Sequence, residues 1–130
     1  MRSPLRLFLG VAMAATVLLG VWMARPWGDN DAYQDISGYL RLSAFLLWAT
    51  SPLAMLALMA GAFRRSRVSP VAFAVGAACI ALAGIVAYAN ALLFPDAQGG
   101  LAFLFVPLAQ WGAAACLVAV CCAVDRLVAR

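Results

Sequence analysis

Set within long apolar stretches, a few residues carry the chemistry this chain offers away from its charges. They are Thr50, Ser51, Tyr88, Asn90 and Gln110, with Thr16 and Ser43 beside them. All present neutral hydroxyl or amide groups. Such groups either tie helices together by hydrogen bonds or line a small polar pocket or pore. Asp96 and Gln98 would stand at the mouth of that pocket. Apart from Cys and Tyr, no ionisable side chain falls near the middle of an apolar stretch. A proton relay through a membrane generally needs Asp, Glu or His there. The chain has no His, no Glu and no Lys. Bis-His haem is excluded on that ground, as is a zinc site of His and carboxylate. A nucleophile with its base would have to come from Cys, Asp and Tyr alone. These absences argue against an enzyme, and no cofactor or metal is expected.

The elements that must position these residues follow from composition. Of 130 residues, 67% are hydrophobic and 11% charged, with a mean hydropathy of +0.99. A soluble domain is about half apolar and a quarter charged, so the chain reads as an integral membrane protein. Uncharged runs cover 7–24, 42–63, 68–95 and 97–124, which are 18, 22, 28 and 28 residues long. One spanning helix needs about 20 residues, so each run holds one span. Backbone groups in lipid must pair internally, which leaves helices. The spans are expected near 5–25, 38–63, 70–93 and 100–124, in a single membrane domain over 1–130 with no soluble domain. Short connections imply an all-α, up-down-up-down bundle of four transmembrane helices, with sequential helices as antiparallel neighbours.

Arginines set the expected orientation. Arg2, Arg6, Arg64, Arg65, Arg67, Arg126 and Arg130 fall on one side of a four-span chain, against Arg25 and Arg41 on the other. The positive-inside rule then places both termini in the cytoplasm. The first apolar run exceeds the 7–15 residues of a signal-peptide core, and Trp22 stands where a cleavage site wants a small residue, so retention is expected. The net charge of +4 reads as an orientation signal, since no basic patch suits nucleic acid. The use of only Arg and Asp, with abundant Ala, suits a GC-rich bacterial genome and hence a bacterial inner membrane.

Local punctuation supports the spans. Ser69-Pro70 reads as N-cap and first helical residue of span three. Asp35 and Asp96 read as caps whose carboxylates accept a first-turn N–H in spans two and four. Pro52 and Pro107 lie inside spans, where each removes a donor and can kink its helix. Asp35, Ala44-Phe45-Leu46 and Pro52-Leu53-Ala54 resemble Asp96, Ala102-Phe103-Leu104 and Pro107-Leu108-Ala109. The offsets drift from 61 to 58 to 55 residues, which is what chance matches in an Ala/Leu-rich chain produce. Trp22, Trp27, Tyr33 and Tyr39 fit an interfacial aromatic belt, whereas Trp48 and Trp111 lie deeper and read as packing residues. Asp29–Asp35 lacks the Gly and Glu of a calcium loop. Cys79, Cys116, Cys121 and Cys122 read as small apolar filler on the reducing side. Ala72, Gly76 and Gly84 form a small-residue stripe suited to close helix contact.

Small multidrug carriers share this length and helix number, but they use a carboxylate in the first span, and 7–24 has none. Two functions remain. One is an accessory or scaffold subunit acting on another membrane protein through helix contacts. The other is a small homo-oligomeric channel or transporter for a small solute with a neutral polar pore. Lipid bilayer and another membrane protein, or self-association, are the expected partners.

Overall fold

The computed structural model describes residues 2–26, 35–60, 62, 68–94 and 101–128. They form four helices: α1 (Arg2–Ala24), α2 (Ile36–Met59), α3 (Val68–Leu93) and α4 (Ala102–Val128). No strand occurs among the described residues. Each helix is long and apolar enough to cross a membrane. Their outward faces carry large apolar side chains such as Leu7, Leu18, Leu47, Leu58, Val86 and Leu108.

Helix ends differ from the expected spans for local reasons. At the end of α1, Arg25 adopts a positive φ of 43° and its N–H bonds the carbonyl of Val21 at 3.1 Å. This left-handed cap closes the helix before Pro26. α2 stops at Met59, short of the expected 63, at a turn in which Ala62 N–H bonds the Met59 carbonyl at 2.9 Å. Asp35 precedes α2 in extended conformation, but its carboxylate makes no capping bond; its backbone carbonyl accepts Gly38 N–H at 3.0 Å instead. α3 begins at Val68, so Ser69 is a second helical residue and not the cap. Pro70 still lies in the first turn, where its missing N–H costs nothing. The N–H of Phe94 bonds the Asn90 carbonyl at 3.0 Å at the far end of α3. α4 runs on to Val128, past Asp125. Its last turn carries Arg126, and a cation there suits the negative end of the helix dipole.

The four helices alternate in direction, but sequential order is not spatial order throughout. α1 packs on α2 and α3, and α4 packs on α3 and α2, whereas α2 and α3 barely touch. The order around the bundle is therefore α1, α2, α4, α3, with two antiparallel hairpins stacked side by side. The expected α2–α3 neighbourhood is not formed, and the connection does not impose it. The intervening residues 60–67 can reach about 26 Å when extended, ample for a diagonal between helices about 8–10 Å apart.

The bundle has two unlike halves. Leu9, Ala12, Leu53, Leu56, Phe73, Ala77, Ala81, Ala114 and Cys121 form one buried cluster. Most come from the half that holds both termini and the α2–α3 connection, and Ala81 and Ala114 lie at mid-helix. The half nearer the α1–α2 and α3–α4 connections, called the hairpin end below, buries Thr16, Tyr88 and Gln110 instead. At that end Gly20 opens the way between α1 and α4. A Cβ on Gly20 would stand 2.6 Å from Leu46 Cδ2 and 3.2 Å from the Phe103 ring. Phe103 thus reaches across the diagonal, and its ring lies 5.3 Å from that of Tyr88.

Candidate functional site: an interhelical polar layer and the α3/α4 groove

Both prolines are fully buried, and both helices continue through them. Pro52 has no N–H, so the carbonyl of Trp48, four residues earlier, loses its ladder donor. Ser51 supplies a replacement: its hydroxyl donates to the Trp48 carbonyl at 2.8 Å. The same oxygen accepts the indole N–H of Trp111 from α4 at 3.0 Å. Trp111, Ser51 and the Trp48 carbonyl therefore form a continuous bond chain from α4 to α2. Three other hydroxyls turn back on their own helices. Thr50 donates to Leu46 at 2.8 Å, Thr16 to Ala12 at 2.9 Å and Ser43 to Tyr39 at 2.9 Å. This back-bonding satisfies a hydroxyl where no water competes.

Gln110 turns from α4 towards α3. Its Nε2 donates to the Ile80 carbonyl at 3.2 Å, and its amide lies against the Cα of Gly84. A Cβ on Gly84 would collide with Gln110 Nε2 and stand 3.0 Å from its Cδ. The missing side chain of Gly84 is thus the seat of the Gln110 amide. About two turns nearer the termini, Gly76 serves Leu117 in the same way, with a Cβ 2.5 Å from Leu117 Cδ1. Gly76 and Gly84 therefore face α4 of the same chain, whereas Ala72 is exposed.

Three buried polar atoms have no hydrogen-bond partner among the described residues: Trp48 Nε1, Tyr88 Oη and Gln110 Oε1. Tyr88 is 1% exposed and Gln110 6%, so lipid or bulk water does not serve them. Each such atom left unsatisfied costs about 1–3 kcal/mol.

The residues expected to share one polar pocket are thus divided. Tyr88 and Gln110 are buried, Ser51 is committed to Trp111, and Thr50 bonds its own helix. Asn90 is exposed on the outward side of α3. Asp96 and Gln98, the expected mouth, lie outside the described residues, as do Asp29–Gln34 and the Arg64, Arg65, Arg67 group. Trp48 and Trp111 are more than packing: one carries a buried unpartnered N–H and the other makes a bond between helices. Their depth in the sequence was visible; the direction of their N–H groups was not. Of the cysteines, Cys121 is buried, whereas Cys79 and Cys116 are exposed.

On the outer side of the same α3–α4 seam lies an open groove of about 380 Å³. Cys79, Ala83 and Ala87 of α3 face Val106, Ala109 and Ala113 of α4, with Gly84 and Gln110 between them. Ala83, Ala109 and Ala113 are exposed. Small side chains on both banks leave the depression. Among the described residues, no group of three His, Cys, Asp or Glu side chains is placed to hold a metal. Comparison with protein-family models, curated proteins and solved structures finds no match to this chain.

Proposed function

We propose that this chain is a multi-pass protein of the bacterial inner membrane, with both termini cytoplasmic. In this reading it is an accessory subunit that holds a transmembrane helix of another membrane protein against the α3/α4 groove. The groove carries the reading. It runs along the middle of two apolar helices, so an occupant must itself lie in the bilayer. Its alanine banks permit close backbone approach, which is what drives helix association where the hydrophobic effect is lost. Seven of the nine arginines lie at the end that would face the cytoplasm. The alternative, a pore for a small neutral solute, has less support. A path through one bundle would cross the cluster of Leu9, Leu53, Leu56 and Phe73.

The test is native mass spectrometry of tagged protein extracted in mild detergent, comparing wild type with Ala83→Phe and Ala109→Phe. Both positions are exposed groove banks, so these variants fill the groove while the bundle stays folded. The expected result is a fixed ratio with a different membrane protein, lost in both variants and kept in Leu18→Phe on α1. A complex that survives both groove variants, or wild type that runs alone, refutes the reading. A closed homo-oligomer would favour the pore.

A further inference from the structure

We propose that Trp48, Tyr88 and Gln110 form an internal hydration site that holds ordered water in the hairpin half of the bundle. The three groups come from three helices, and their residues lie close to one another along the bundle axis. Trp48 lies one turn from Ser51, which bonds Trp111 of α4. Gln110 is the residue before Trp111. Tyr88 lies one turn from Gly84, against which the Gln110 amide rests. One turn is about 5.4 Å, so Trp48 and Tyr88 are rooted within about a turn of the Gln110 level. They are too far apart, or too poorly aimed, to bond one another directly.

Their chemistry defines the occupant. The Trp48 indole offers a donor only, the Tyr88 hydroxyl a donor and an acceptor, and Gln110 Oε1 an acceptor. A molecule that accepts from Trp48 and Tyr88 and donates to Gln110 satisfies all three. Water does so and retains one hydrogen. Pro107 is buried and has no N–H, so the carbonyl of Phe103 lacks its ladder donor and is a fourth partner for that hydrogen. Buried waters typically make about three such bonds. No charged side chain is offered at this level, which selects a small neutral hydrogen-bonding molecule over an ion. Among the described residues the opposite half has no such set; its buried cluster is aliphatic, aromatic and thiol. The bundle is therefore wet at one end and dry at the other. Gln110 also lines the α3/α4 groove, but the site needs no occupant there.

The experiment uses the full chain, labelled with ¹⁵N at tryptophan, in detergent micelles made with deuterated acyl chains. Trp→Phe variants assign the indole signals. A water-selected rotating-frame Overhauser spectrum then reads which indole N–H lies beside water. The expected result is a direct water cross-peak at Trp48 Nε1–H and none at Trp111, whose N–H is held by Ser51. Tyr88→Phe and Gln110→Leu should each weaken the Trp48 cross-peak by at least twofold. In both variants the Trp111 signal should stay in place, which reports a folded bundle. If a variant fails to fold, the wild-type comparison of Trp48 with Trp111 decides by itself. A Trp48 signal with no water cross-peak overturns the proposal. So does a Trp48 shift in Tyr88→Phe without a water cross-peak, because that marks a direct bond to Tyr88.

Discussion

Gly84 and Gly112 lie in adjacent helices of one bundle, and Gly→Ala at each should have opposite signs. In a helix interior the change to Ala gains about 0.5–1 kcal/mol from backbone entropy. Gly112 has no neighbouring atom within 4 Å of a new Cβ, so Gly112→Ala should keep that gain. At Gly84 the new Cβ collides with Gln110 Nε2. The amide is the mobile end of a three-torsion side chain, so a rotamer change relieves the clash. What is then lost is the bond to the Ile80 carbonyl, worth about 0.6–2 kcal/mol between membrane helices. The displaced amide N–H is also left without that buried partner, at about 1–3 kcal/mol. Set against the backbone gain, Gly84→Ala should destabilise by about 0.6–4.5 kcal/mol. The assay is reversible unfolding of the purified protein by SDS titrated into mild detergent, followed by far-UV circular dichroism and Trp fluorescence. In Gly84→Ala/Gln110→Ala the cost should fall well below the sum of the single changes, because the Cβ then meets no amide. Equal stability of Gly84→Ala and Gly112→Ala would refute the assigned seat of Gln110. Full additivity in the double variant would do so as well.

Three further expectations rest on other contacts. Gly76→Ala should destabilise by about 1–3 kcal/mol through overpacking against Leu117, and Leu117→Ala should recover part of that loss; the same SDS titration reads both. Ser51→Ala should cost more than Trp111→Phe, since Ser51 holds two bonds and Trp111 one; a reversed order in unfolding midpoints would break the proposed chain from α4 to α2. Replacing Arg64, Arg65 and Arg67 with Asn removes three of the seven cations on the proposed cytoplasmic side and should yield a mixed or inverted orientation. A cysteine added after Arg130 and probed with a membrane-impermeant maleimide in intact cells reads this, and unchanged protection of the tag would count against the charge rule as the determinant.

Several features were legible along the chain because they depend on local runs of residues. Four breaks in charge mark four helices, and each helix lies within a few residues of its expected span. Where ends moved, a local conformation moved them. Arg25 closes α1 by a left-handed turn, and Asp35 leaves its capping role to its own carbonyl. The Pro52 problem and its solution by a neighbouring hydroxyl also lie within four residues, and so could be read in one dimension.

Which way each helix faces is a different matter. In a soluble bundle a polar stripe marks the outside of every helix. Here nearly all sides are apolar, because lipid and protein interior present the same chemistry. Asn90 and Gln110 look alike in sequence, yet one faces outward and the other seats its amide against Gly84. Trp48 and Trp111 look like filler, yet the direction of their N–H groups makes one a link between helices and the other an unpartnered donor. The neighbour order α1, α2, α4, α3 likewise follows from packing, since residues 60–67 are long enough for either arrangement. Composition and charge therefore determined the number, length and expected sidedness of the helices. Rotation and neighbour choice, and with them the polar layer and the groove, were decided only when Phe103, Gln110 and Leu117 filled the gaps at Gly20, Gly84 and Gly76.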